Sequence, residues 1–280
     1  MNNGFENMSV NAGFLGLASV NGTLLRCQDF SMNLRQDALF YDHIIGLRDN
    51  IPGSLFGSKG DVGALNPQKI IWRPSVKICQ GGISYPLIET DPLFELAKFG
   101  TPFNLTFAYD CESARTFTDC VVNTYTFSVT AGDIATITAD IMARTVNEAG
   151  PLGRYDVESK IVTWDDFDIT TDGGAGAEIQ SMTFTVNNNC KPVYTAGANN
   201  ILNLDPLAIR VGMQEVSGNI SYYGKGADLV SMGGDGTITI SSTEFNVDLN
   251  VLFKPQERSS SIGPVIAPLS FVGRDYALGE

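Results

Sequence analysis

Residues 136–141 read Thr136-Ile137-Thr138-Ala139-Asp140-Ile141, polar and apolar side chains in strict alternation. Successive side chains of a strand point to opposite faces, so this period of two predicts a half-buried strand with one wet face. Residues 245–251, Phe245-Asn246-Val247-Asp248-Leu249-Asn250-Val251, carry the same period, as do residues 30–34 and 182–186. Turn signals stand between such stretches: Asn21-Gly22, Ala131-Gly132-Asp133, Asp172-Gly173-Gly174 and Gly233-Gly234-Asp235-Gly236. The chain is therefore expected to be mainly β.

The alternating stretches also repeat. Gln28-Asp29-Phe30-Ser31-Met32-Asn33-Leu34 superposes on Gln180-Ser181-Met182-Thr183-Phe184-Thr185-Val186, and Gly81-Gly82-Ile83-Ser84-Tyr85 on Gly218-Asn219-Ile220-Ser221-Tyr222. A short helix-like stretch follows each, residues 91–99 and 227–232, and each half closes on an alternating strand, residues 135–141 and 245–251. Matches in one order along the chain point to two copies of one unit. The expected divisions are an N-terminal segment 1–19, a first unit 20–150, a second unit 151–254 and a C-terminal arm 255–280. In the first helix Asp91 is expected as N-cap, Pro92 as first helical residue and Gly100 as stop, with Leu93, Leu96, Ala97 and Phe99 giving a packing face.

Catalytic chemistry has little to stand on. His43 is the only histidine, it has no ligand neighbour, and no nucleophile, metal or phosphate-loop motif surrounds it. Asp165, Asp166 and Asp168 would point to different faces of a strand, which suits a solvated edge better than a pair of working carboxylates. Cys27, Cys79, Cys111, Cys120 and Cys190 are scattered, with no CxxC spacing. In a reducing compartment they are expected as buried small hydrophobes, although Cys111 and Cys120 could also face each other across a hairpin. No enzyme activity, catalytic residue, metal or cofactor is expected.

The 31 acidic and 18 basic side chains leave a net charge of −13, which argues against ordinary nucleic-acid binding because phosphates must be met by cations. A hydrophobic content of 43% in 280 residues is enough for a sizeable core, and no apolar run approaches a membrane span. The polar start of the chain carries no secretory pattern, so synthesis in a cytoplasm is expected. Two segments look made for contact. The long loop at residues 42–68 is rich in Gly and Pro yet carries Ile44, Ile45, Ile51, Leu55 and Phe56. The tail from residue 255 spaces apolar residues along what is expected to be an extended arm.

Three stretches resemble, in their order, the tail tube (major tail) proteins of long-tailed bacteriophages. The first is Asp119-Cys120-Val121-Val122-Asn123 leading into Tyr125-Thr126-Phe127-Ser128-Val129-Thr130-Ala131-Gly132-Asp133-Ile134-Ala135, with the following strand ending at Met142-Ala143-Arg144. The second is residues 180–189 with Pro192-Val193-Tyr194, and the third is Arg210-Val211-Gly212 followed by Val216-Ser217-Gly218-Asn219-Ile220-Ser221. The resemblance covers residues 20–253.

It implies duplicated tail-tube-type β-sandwich or barrel units with short helices, whose strands join neighbours into a ring. Stacked rings would form the tail tube, the channel for DNA delivery into the host. Six units usually close such a ring, so a chain with two units would close it as a pseudo-hexameric trimer, with a hexamer as the alternative. Implied partners are further copies of itself, the tape measure, tail terminator and tail-tip or baseplate proteins, and a sheath where the tail contracts. Genomic DNA would pass without sequence-specific binding. The implied location is the virion tail, after synthesis in the host bacterial cytoplasm.

On that reading Thr136, Thr138, Asp140, Asn246, Asp248 and Asn250 are candidates to face the lumen, although the same residues would also suit a face open to bulk solvent. Ile44, Ile45, Ile51, Leu55 and Phe56 are candidates for contact between stacked rings, and the C-terminal arm is expected to lie on a neighbouring subunit. The rivals are another virion component, such as a tail terminator or capsid decoration protein, and a two-domain carbohydrate-binding module. The last would use exposed aromatics, for which Trp72, Trp164, Tyr222 and Tyr223 can be proposed.

Overall fold

The computed structural model describes residues 16–41, 71–88, 91–108, 113–152, 161–171, 178–195, 205–223, 234–243, 245–254 and 266–278. Outside them lie His43, Cys111, the helix-like stretch 227–232 and the proposed stacking residues Ile44, Ile45, Ile51, Leu55 and Phe56.

The first part of the chain forms β1 (Gly16–Val20), β2 (Thr23–Cys27), β3 (Asp29–Tyr41), β4 (Ile71–Pro86), α1 (Phe94–Phe99) and β5 (Phe103–Ala108). β6 (Ala114–Thr130), β7 (Thr136–Ala143) and β8 (Thr145–Ala149) follow. After a 3-10 turn at Trp164–Asp166 come β9 (Asp168–Thr171), β10 (Glu178–Asn187), β11 (Lys191–Val193), β12 (Ala208–Arg210) and β13 (Glu215–Tyr223). β14 (Gly234–Ser241), β15 (Asn246–Phe253) and β16 (Ile266–Leu278) complete it. Every described pairing is antiparallel, and all strands but β11 and β12 belong to one sheet. The period-two reading holds residue by residue: β15 alternates exposed and buried along its whole length.

Two sets of strands pair in the same order. One runs β1-β5-β6-β7-β4-β3, the other β9-β14-β15-β16-β13-β10. Register agrees as well. Phe30 faces Ile83 and Met32 faces Gly81, while Met182 faces Ile220 and Phe184 faces Gly218.

This order corrects two expectations. The strand beside β13 is β16, not the β15 stretch that the repeat had matched with β7; β15 stands where β6 stands. Residues 266–278, expected as part of an arm on a neighbour, lie in the chain's own sheet between β13 and β15. Alternation alone could not decide this, because β7, β15 and β16 all present one apolar face, and only pairing distinguishes them.

The helix also departs from expectation. It starts at Phe94 with Leu93 as N-cap, and it buries Leu93, Phe94 and Ala97 while Phe99 is 66% exposed. Gly100 ends it as expected, at φ 60°. Asn188, fully buried, donates to the Ala97 carbonyl oxygen at 2.8 Å. Gln214 donates to the Lys98 carbonyl oxygen at 3.0 Å and to Asn188 Oδ1 at 2.8 Å. The orphan carbonyls of a helix end are thus met by side chains more than a hundred residues along the chain in the case of Gln214.

One hydrophobic cluster runs through both sets of strands. Phe127 stacks at 5.3 Å on Phe184 and at 5.4 Å on Phe245, and Phe94 meets Phe245 at 5.3 Å. Cys27, Cys79, Cys120 and Cys190 are buried free thiols. Burial pushes Cys27 and Cys79 up to about 12 and Cys190 to about 11, and it raises Cys120 too. In a Cys111→Ser protein these four should resist a thiol reagent at pH 8 until the chain is denatured; rapid labelling of the native protein would contradict their burial.

Candidate functional site

The feature with the widest extent is a polar face built by seven paired strands. Along one row lie Asp29, Ser84, Thr138, Thr126, Thr185 and Ser217, each directly opposite the next. A second row holds Ser31, Gly82, Asp140, Thr124, Asn187 and Glu215. A third holds Thr136, Ser128, Thr183, Asn219 and Ser270. The intervening residues form the opposite, apolar face: Ile83, Ala139, Tyr125, Val186 and Val216 line up across five strands and are all buried.

The polar face is dominated by hydroxyls and amides. Thr126 and Thr185 share a hydrogen bond at 3.1 Å, and Ser128 and Thr183 one at 3.3 Å. Ser270 donates to Asn219 Oδ1 at 2.7 Å. The charged members of these rows, Asp29, Asp140 and Glu215, are acidic and exposed. Short hydroxyl side chains tied to each other leave a smooth surface, and its carboxylates repel a polyanion.

Thr136, Thr138 and Asp140 therefore sit at the heart of this face, on β7. Asn246, Asp248 and Asn250 stand farther along the same face of the sheet, since Ser217 lies opposite Val272, Val272 opposite Leu252, and these three share the exposed side of their strand with Leu252. They lie on β15, opposite Ser241, Thr239 and Thr237 of β14, where the Thr239 hydroxyl donates to Asp248 Oδ1 at 2.7 Å. β14 in turn pairs with β9, so these three belong to the other end of the sheet. β7 and β15 are not equivalents in the repeat, yet the two sets stand on one face of one sheet, with β6, β10, β13 and β16 between them. The partners missed were the polar sides of β6, β10 and β13; their alternation was visible, but nothing in it says which strands share a wall.

Beneath the wall lies a buried carboxylate. The Asp91 carboxylate accepts the Tyr85 hydroxyl on Oδ1 and the Tyr125 hydroxyl on Oδ2, both at 2.5 Å, and the Leu93 N–H on Oδ1 at 3.0 Å. The residue as a whole is half-buried, and its carboxyl is enclosed. Burial raises its pKa against the pull of those hydrogen bonds, and burial with the nearby carboxylate raises both tyrosines. Asp91 thus anchors the entry of α1 to β4 and β6.

The aspartates near Trp164 lie partly on a 3-10 turn instead of one strand. Asp166 Oδ2 accepts the Thr163 N–H at 2.9 Å and its hydroxyl at 3.0 Å, which closes a capping box. Trp164 packs against the core, and Tyr222 is fully buried, so neither offers the open aromatic platform that sugar binding needs. The side chains of Trp72, on β4, and Tyr223, on β13, lie outside what the structure describes. Among the described residues no group of three His, Cys, Asp or Glu side chains is placed to hold a metal ion.

Comparison with known proteins gives one finding. The family profile described as "Phage tail tube protein" matches residues 12–273. No curated protein matches the chain.

Proposed function

We propose, from the premise that this chain belongs to the phage tail tube protein family and is a structural protein of the virion tail, that it closes rings whose joined sheets wall a DNA channel. The observation that carries the reading is the seven-strand polar face. It is wide, hydroxyl-rich and acidic, and it is backed by a continuous apolar layer. A wall of that kind separates a packed interior from a wet duct, and it gives passing phosphates nothing to hold. Thr136, Thr138 and Asp140 line the lumen on this reading, with Thr126, Ser128, Thr183 and Thr185 beside them.

The matched order and register of the two strand sets support two copies of one unit in the chain, the first within 20–150. The second extends past residue 254, since β16 is one of its strands. Six units would then come from three chains, a pseudo-hexameric trimer. The apolar loop 42–68, with Ile51, Leu55 and Phe56, is proposed on its sequence as the contact between stacked rings. Genome passage, host-cell synthesis and contacts with the tape measure, terminator and tip proteins belong to the same proposal.

Electron microscopy of the purified, concentrated, untagged protein tests it. Hollow tubes with three chains per ring are expected in end-on views. Six chains per ring would overturn the two-unit reading, and monodisperse monomers at every salt concentration would overturn tube formation.

A further inference from the structure

The second set of strands repeats a stretch whose role is visible in the first. Ile83-Ser84-Tyr85 is followed by Asp91, six residues after the tyrosine, and Ile220-Ser221-Tyr222 is followed by Asp228, again six residues after it. Apolar residues come next in both places, Leu93 and Phe94 in one, Leu229 and Val230 in the other. The two tyrosines hold matching positions: Ile83 faces Phe30 of β3 and Ile220 faces Met182 of β10, each two residues before its tyrosine. Both tyrosines are fully buried.

Their hydroxyls are served unequally. Tyr85 donates to Asp91 Oδ1 at 2.5 Å, and the same oxygen holds the Leu93 N–H at the entry of α1. The Tyr222 hydroxyl reaches Thr171 Oγ1 at 3.5 Å, beyond the roughly 2.5–3.0 Å of an effective O–H···O bond. A phenol taken wholly out of water needs a good acceptor, because an unmet buried hydroxyl costs its full desolvation. Asp228 lies outside the described residues, in the stretch 224–233 that joins Tyr223 at the end of β13 to Gly234 at the start of β14.

We propose that Tyr222 is the docking point for residues 224–233 of this chain, with the Asp228 carboxylate accepting the Tyr222 hydroxyl as Asp91 accepts that of Tyr85. Chain length selects this occupant: six residues carry the chain from Tyr85 to its acceptor, and the same six separate Tyr222 from Asp228. A carboxylate also suits the site chemically, since a charged acceptor shortens and strengthens the bond from a hydroxyl. Leu229 and Val230 then follow the carboxylate as Leu93 and Phe94 follow Asp91, where both are buried in the core. The inference goes beyond the tube reading. It rests on the matched strand sets and stands or falls without regard to ring formation.

Melting temperatures of the full-length protein test it. Tyr222→Phe should lower the midpoint by about 3–6 °C and Asp228→Ala by at least as much, whereas an aspartate on an open loop would change it by about 2 °C or less. In the double variant the two drops should fall short of their sum by about 3 °C or more, because one bond cannot be lost twice. Asp228→Asn keeps an acceptor and should recover part of the loss, and Thr171→Val should stay within about 2 °C of wild type. An Asp228→Ala protein that melts with wild type overturns the docking, as does a drop that adds in full to that of Tyr222→Phe. Coupling of Tyr222 to Thr171 in place of Asp228 overturns it as well. If Asp228→Ala fails to fold, hydrogen exchange decides: in Tyr222→Phe the amides of residues 227–232 should exchange about tenfold faster than in wild type. Unchanged exchange there overturns the docking.

Discussion

Replacing Gly218 by alanine should lower the melting temperature by roughly 6–12 °C, the equivalent of about 3 kcal/mol in a chain of this size. A Cβ at this position would lie 2.3 Å from the Thr183 carbonyl oxygen and 2.3 Å from the Phe271 ring. Thr183 is on β10 and Phe271 on β16, the neighbours on either side of β13. Neither can retreat, because each is itself paired on its far edge. Glycine is needed here for close approach of backbone to backbone. Gly81 is its match in the first set, with a Cβ that would meet the Ser31 carbonyl oxygen at 1.6 Å. Among the described residues β3 is an edge strand, so Gly81→Ala should express itself as loss of β3 from the sheet, read as faster amide exchange in residues 29–34 and loss of ring assembly. Gly82→Ala is the control: its nearest atom would be Asp140 Oδ1 at 3.4 Å, an ordinary contact, and its melting temperature should change little. Thermal melts of the three variants decide the matter, and a Gly218→Ala protein as stable as wild type would contradict the close packing of β10, β13 and β16.

Asp91→Ala should cost about 3–5 kcal/mol. It removes the acceptor of two buried tyrosine hydroxyls and of one backbone N–H together. Asp91→Asn keeps an acceptor and should cost less, while Tyr85→Phe and Tyr125→Phe should each cost about 1–2 kcal/mol and fail to add in the double variant. The pH dependence has a defined sign. Burial raises the folded pKa of Asp91 above its unfolded value, so the folded chain binds this proton more tightly. The contribution of Asp91 is then fullest below the unfolded pKa and declines as pH rises through the raised one. Denaturant melts of wild type and Asp91→Asn should accordingly show the wild-type advantage shrinking with rising pH from about 4 upward. An advantage that grows over that window would mean that the hydrogen bonds from Tyr85, Tyr125 and Leu93 outweigh desolvation.

Much of this architecture was open to reading before any coordinate. Local alternation marked β3, β7, β10 and β15 as half-buried strands, and each has one buried and one polar side. Matching residues 28–34 with 180–186 and residues 81–85 with 218–222 marked equivalent stretches, and the structure pairs the corresponding strands, β3 with β4 and β10 with β13. Gly100 as a helix stop was likewise legible, because only a residue without a Cβ adopts that conformation freely. Asp91 was seen as a cap but not as the shared acceptor of two tyrosines, since Tyr125 is 34 residues away along the chain. The apolar face of α1 was misread at Phe99, whose exposure depends on what packs beside the helix and not on its own period.

The sequence by itself determined the class of structure, the strands with one wet and one dry face, the recurrence of a strand pattern and the family resemblance. These are properties of neighbouring residues, set by the geometry of a single strand and by side-chain chemistry. Tertiary structure alone decided that β16 and not β15 lies against β13, that β6, β10 and β13 extend the wall of Thr136, Thr138 and Asp140 while Asn246, Asp248 and Asn250 stand on the same face two strands past β13, and that β3 pairs only with β4 among the described residues. The physical reason is that many half-buried strands offer nearly equivalent pairing surfaces. The choice among them is made by core packing across the whole chain, where Phe127, Phe184, Phe245 and Phe271 must fill one interior together.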